Sequence, residues 1–220
     1  MMGFPKLYAI ADVGLLSARG MDLRMFAEGL RAAGVRLVQL RDKTGTPQEV
    51  LAGAALLREI LGQDCLLILN DRADLAVLAG FDGVHVGQGD LSVRDCRVVL
   101  KAKYEHRGRG VGTEGPRGIV GVSTHSVEEV LGTGEADYVA VGPVFATGTK
   151  LDAEPVVGLE GVRRARALTD KPLVAIGGIT RENCQSVVEA GADSVAVISG
   201  LMVPGETVEK VARDFLAILG

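Results

Sequence analysis

The chain has 220 residues, 47% hydrophobic and 24% charged, with a net charge of −4. These values describe an ordinary globular chain, long enough to bury a core and to form one α/β barrel. The acidic balance argues against nucleic-acid binding, since the basic cluster "HRGRG" at 106–110 lacks interleaved aromatics. Glycine is the outlier, at 30 residues, about twice ordinary usage. The three cysteines, Cys65, Cys96 and Cys184, are scattered and form no CxxC. That pattern supports neither zinc nor a disulfide framework, and reduced thiols in a cytoplasmic setting are the expectation. No signal peptide and no membrane span are visible, so no membrane partner is expected.

In chain order, apolar runs of strand length recur at 6–12, 36–42, 65–71, 83–88, 118–124, 138–144, 172–178 and 194–200. They are short and rich in Val, Ile and Leu, as fully buried parallel strands are. Between them lie segments of helical spacing, among them 22–34, 47–62, 127–134 and 180–192. Several end in Gly or Ala-Gly, as helix C-termini do. Pro47 stands where a helix start welcomes proline, and Ser126 precedes "VEE" as an N-cap would. Eight strand–helix units predict a single-domain (β/α)8 TIM barrel over 1–220. An open doubly wound sheet is the competing fold, but no GxGxxG follows the first strand. The glycine-rich stretch 104–118 breaks the rhythm. It is expected to be a mobile loop insertion between the fourth helix and the fifth strand, on the face opposite the site.

In such a barrel the chemistry sits at the C-terminal ends of the strands. The second strand ends "QLRDK", where period two puts Gln39, Arg41 and Lys43 on one face. Two cations and an amide near the barrel mouth suit an anion; a solvated strand end with a salt bridge is the plainer alternative. Asp71 follows the third strand and Asp90 the fourth. Carboxylates from neighbouring strand ends can share magnesium, which binds through one or two carboxylates plus substrate phosphate. Each Asp alone equally suits a turn or a helix cap. The fifth strand ends with Ser123 and His125 on one face, and a lone His there is more often a packed, satisfied residue than a catalyst. The sixth runs into "VGPVFATGTK", whose Thr147, Thr149 and Lys150 form a donor-rich end. After the seventh and eighth strands, Gly177, Gly178, Ser199 and Gly200 could turn backbone N–H groups toward a phosphate.

The motifs "QLRDK", "NDRADLA", "GVHVGQGD", "GVSTHS", "DYVAVGPVFATGTK", "VAIGGIT" and "GADSVAVISG" lie in the order and spacing of one family. Through them nearly the whole chain resembles the thiamine phosphate synthases. The resemblance implies a transferase of the alkyl/aryl class. It would join a pyrimidine methyl diphosphate to a thiazole phosphate, with or without a carboxylate, giving thiamine phosphate and pyrophosphate. It implies that Gln39, Arg41, Lys43, Asn70, Ser123 and Lys150 hold the pyrimidine diphosphate. Thr147, Thr149, Gly178, Ile198 and Ser199 would hold the thiazole phosphate. Asp71 and Asp90 would bind one magnesium ion per subunit. Arg41, Lys43, Ser123 and Lys150 would be catalytic. The chain departs from the family's pattern at Ala146, usually Pro, and at Gly89, usually acidic; neither departure removes an implied ligand.

Physical logic agrees. The amino-pyrimidine can stabilise a benzyl-like cation, negative charge grows on the departing pyrophosphate, and the thiazole nitrogen needs no base. A site rich in cations and poor in bases follows. Two rival readings stay open: a thiazole tautomerase of the same family, acting through His125, and a catalytically silent barrel that binds a phosphorylated ligand. Small-molecule substrates are the expected partners, and self-association into a homo-oligomer is left open.

Overall fold

The computed structural model describes residues 4–106, 118–148 and 155–220. Strand β1 (Leu7–Asp12) opens the chain, followed by β2 (Leu37–Arg41), β3 (Leu66–Asn70), β4 (Gly83–Val86), β5 (Ile119–Thr124), β6 (Tyr138–Val141), β7 (Leu173–Ile176) and β8 (Ser194–Val197). All pair in parallel with their sequence neighbours, and β8 pairs back onto β1, closing a barrel. The (β/α)8 expectation holds. Helices fill the outer ring: α1 (Val13–Ala18), α2 (Leu23–Ala33), α3 (Pro47–Leu61), α4 (Ala73–Ala79), α5 (Val93–His106), α6 (Val127–Leu131), α7 (Gly158–Leu168), α8 (Cys184–Glu189) and α9 (Val208–Leu219).

Local signals explain these boundaries. Thr46 and Glu49 form a reciprocal capping box with Pro47 in the first turn of α3. Ser126 caps α6 through the Glu129 N–H at 3.2 Å, as its position before "VEE" suggested. Gly34 ends α2 in the left-handed conformation, at φ 82°.

The pleat sorts side chains into two cores. Alternate residues such as Leu40, Leu67, Val84 and Val139 face outward and pack against helices. Tyr8, Ile10, Leu37, Ile68, Tyr138, Ala140, Val174 and Ala196 fill the barrel interior. By the same alternation Asp12, Gln39, Arg41, Asn70, His85 and Ser123 are carried inward, which gathers polar groups at and just below the mouth.

Three details differ from the sequence reading. Helix α1 was not anticipated, because six residues are too few for a helical period to show and Asp12 both ends β1 and caps α1, accepting from the Leu15 N–H at 2.9 Å. Strand β2 stops at Arg41, so Lys43 lies beyond the pleat and does not share a strand face with Gln39 and Arg41. Helix α5 runs to His106, three residues into the expected loop, and 107–117 lie outside the described residues. Among the described residues no helix is long and apolar enough to cross a membrane.

Candidate active site

One half of the mouth is ionic. Arg41, at the end of β2, pairs its guanidinium with the Asp12 carboxylate from the end of β1; the two side chains are mostly shielded from water. Lys43 reaches the Asp71 carboxylate just past β3. The backbone at Asp71 is left-handed, φ 61°, which is uncommon for a residue with a side chain. Its N–H donates to the His85 carbonyl at 2.7 Å, which locks the turn against β4. Asp90 accepts from the Gly87 N–H at 2.8 Å. Partial desolvation raises the Asp90 pKa, and so do a hydrogen bond and charge repulsion from Asp71; the Gly87 N–H and Lys43 act the other way. Asp71 therefore lies close enough to Asp90 to disfavour the ionised form of the Asp90 carboxyl.

Two neighbouring carboxylates, one of them paired with Lys43, fit a hard divalent ion that completes its shell with water and substrate oxygens. Among the described residues no three His, Cys, Asp or Glu side chains gather to hold a metal, so the pair would not enclose the ion alone.

The other half of the mouth is a cavity of about 220 Å³ between the ends of β5 to β8. Ser123, Thr147, Gly178, Ile198 and Ser199 all line it, so five of the predicted residues meet at one space. Ala140, Ile176 and Ala196 give it an apolar floor. Gly177 and Gly178 have φ of 103° and 64°, and a methyl group on Gly178 would lie 2.6 Å from the Ala146 carbonyl oxygen. The two glycines thus let the chain after β7 fold against the chain after β6, where the Phe145 N–H donates to the Gly177 carbonyl at 3.0 Å. Thr149 and Lys150 lie outside the described residues.

Ser123 joins the two halves. It lines the cavity, and its Oγ is 2.8 Å from His85 Nε2. Asn70 stands opposite His85 in the β3–β4 register. Gln39 lies deeper than the other expected ligands, 3% exposed, with its Nε2 donating to the Tyr8 hydroxyl at 2.8 Å. His125 also lines the cavity, and its Nδ1 donates to the Gly142 carbonyl, 2.5 Å away. Sequence reasoning missed Asp12, Tyr8, His85 and Tyr138. Period two within "YAIAD" puts Tyr8 and Asp12 on one face, and the same rule applied to "GVHV" and "DYVAV" would have flagged the others.

Fold and mouth together define a (β/α)8 barrel with a cavity of small-molecule size at the C-terminal ends of its strands. Comparison with known proteins narrows this class. The family described as thiamine monophosphate synthase matches residues 7–105 and 110–201, and the chain belongs to it. A thiamine-phosphate synthase of Koribacter versatilis is 48% identical over 98% of this chain and 96% of its own. One from Chloroflexus aurantiacus is 37% identical over 97% and 92%. The solved thiamine phosphate pyrophosphorylase of Pyrococcus furiosus superposes with a TM-score of 0.77 at 31% identity, covering 97% of this chain and 95% of that one. A 3-hexulose-6-phosphate synthase structure, TM-score 0.65 at 19% identity, shares the fold alone.

Proposed function

We propose that this protein is a thiamine-phosphate synthase that joins a pyrimidine methyl diphosphate to a thiazole phosphate and releases pyrophosphate. The observation that carries this reading is the mouth itself: an ionic half and a phosphate-ready apolar cavity meet at Ser123, within a chain that belongs to the family along nearly its whole length. The diphosphate would lie over the ionic half, near Arg41, Lys43, Asn70 and Ser123. The thiazole phosphate would enter the cavity beside Thr147, Gly178, Ile198 and Ser199, with Thr149 assigned to it by the family motif.

The chemistry balances without a base. The bond between the pyrimidine methylene and the diphosphate oxygen breaks, and its electron pair leaves with pyrophosphate. The amino-pyrimidine stabilises the resulting cation. The thiazole nitrogen then donates its lone pair to form the new C–N bond. Arg41 and Lys43, with Lys150 by family motif, would face the growing negative charge, and the Ser123 hydroxyl would donate to a diphosphate oxygen. Asp12 holds Arg41 in place, so that guanidinium is oriented before substrate arrives. Asp71 and Asp90 would hold magnesium, which when bound supplies charge neutralisation for the leaving group.

A relative named thiamine-phosphate synthase, 48% identical over nearly the whole chain, weighs against the tautomerase reading. The test is pyrophosphate release by the purified protein with both substrates and magnesium, run with plain and with carboxylated thiazole phosphate. Release that needs all three components supports the proposal. No release with either thiazole refutes it.

A further inference from the structure

A chain of hydrogen bonds crosses the barrel interior beneath the site. Gln39 Nε2 is 2.8 Å from the Tyr8 hydroxyl, which is 2.9 Å from the Tyr138 hydroxyl. That hydroxyl is 2.9 Å from His85 Nδ1, and His85 Nε2 is 2.8 Å from Ser123 Oγ. The five residues come from β2, β1, β6, β4 and β5. Tyr8 and Tyr138 are sealed from solvent at 1% and 0% exposure, and Gln39 and His85 are buried. Only glycine fits at position 121, because a methyl group there would lie 2.0 Å from the Tyr138 ring. Strand β5 is thus shaped to let that phenol lie across it. The His85 and Tyr138 rings stack at 5.5 Å, and the two phenols meet edge to face at 6.0 Å.

The order of donors follows from counting hydrogens. The amide nitrogen of Gln39 can only donate, so Tyr8 oxygen accepts. Tyr8 has one hydrogen of its own, and among the described residues its other hydrogen-bonding neighbour is Tyr138. Tyr8 must donate there, since otherwise a phenol hydrogen would be buried without an acceptor. Tyr138 then accepts from Tyr8 and gives its hydrogen to His85 Nδ1. With Nδ1 accepting, the neutral imidazole carries its hydrogen on Nε2 and donates to Ser123. The serine oxygen is thereby an acceptor from below, and its own hydrogen is left to point into the cavity. Burial pushes the pKa of both phenols up, so Tyr8 and Tyr138 keep their hydroxyl hydrogens.

We propose that Gln39, Tyr8, Tyr138 and His85 form a one-way relay that fixes the Nε2–H tautomer of His85 and thereby commits Ser123 to donating toward the substrate. His85 and the two tyrosines are positioning residues, acting through Ser123. The proposal rests on the synthase reading for what Ser123 donates to, but not for the state of His85.

The test reads the tautomer directly. The chain has three histidines, so long-range proton–nitrogen correlation of the labelled protein resolves each ring, and His85→Gln identifies the His85 signals. At neutral pH in the free protein, His85 is expected to show a protonated Nε2 and a bare Nδ1. Tyr138→Phe removes the hydrogen given to Nδ1, so the signals should move toward a tautomer mixture. Its kcat should fall about tenfold, with KM for both substrates little changed, as for a lost contact to the departing group. Tyr8→Phe, which keeps the Tyr138 hydroxyl, should fall between wild type and Tyr138→Phe. A wild-type His85 protonated on Nδ1 overturns the relay whatever the variants do. So does a Tyr138→Phe protein with unchanged tautomer and turnover. Absent pyrophosphate release with the Nε2–H tautomer in place would instead refute the synthase reading and leave the relay's direction intact.

Discussion

Gly178→Ala probes the junction of β6 and β7 most sharply. Gly178 has φ 64°, and an added methyl would sit 2.6 Å from the Ala146 carbonyl oxygen and 2.8 Å from Phe145 Cβ. The left-handed backbone costs a residue with a Cβ about 1–2 kcal/mol. Forcing the rigid backbone of 145–146 aside adds about 1–3 kcal/mol, as overpacking does. The sum is about 3 kcal/mol, which for a domain of this size lowers Tm by about 6–12 °C. The displaced backbone leads into Thr147, which lines the cavity, so KM for the thiazole phosphate should rise more than KM for the pyrimidine diphosphate. Gly89→Ala is the control: its added methyl meets nothing within 4 Å and its φ is not positive, so Tm should hold. Thermal unfolding followed by circular dichroism, with steady-state kinetics on each substrate, reads both effects. A Gly178→Ala protein that melts within a degree of wild type would refute the close approach of the two strand ends.

Other consequences follow from the same geometry. Asp90→Ala should lose most magnesium-dependent activity while keeping the wild-type Tm, since Asp90 is exposed and its carboxyl meets the Gly87 turn and the like-charged Asp71; activity that survives both the substitution and a chelator would contradict the metal assignment. The three thiols are buried and burial raises each pKa, that of Cys65 up to about 12. They should resist a thiol reagent at pH 8 until denaturant is added. Because the folded thiol of Cys65 titrates above its unfolded value, this stabilising difference is complete below pH 9 and shrinks as pH rises toward 12; a Tm that stays flat across that range would count against it. Hydrogen bonds from Arg181 and then Lys210 hold Glu206 down to about 2. Its contribution is present above its unfolded value near 4.5 and lost as pH falls toward 2, so Arg181→Ala should move the acid-unfolding midpoint to higher pH. An unmoved midpoint would show that this half-buried cluster does not contribute.

The barrel was legible because eight Val-, Ile- and Leu-rich runs can be buried on both faces only in a parallel sheet covered by helices. Strand-end residues such as Arg41 and Ser123 could be placed by the period of two. Lys43 could not, because it lies past the strand, where its reach to Asp71 depends on loop geometry. The Asp12–Arg41 pair was missed because the rule was not applied to β1. The interior relay was harder still: Tyr8 and Tyr138 are 130 residues apart, and only the closed register brings β1 and β6 chains to one point.

The most direct test of the synthase account is stoichiometry. Purified protein, magnesium and limiting pyrimidine diphosphate with excess thiazole phosphate are allowed to react to completion, and pyrophosphate and thiamine phosphate are each quantified. One pyrophosphate for each thiamine phosphate, and neither when the thiazole is omitted, is the expected result. Pyrophosphate without thiamine phosphate, or no turnover of either substrate, would contradict it.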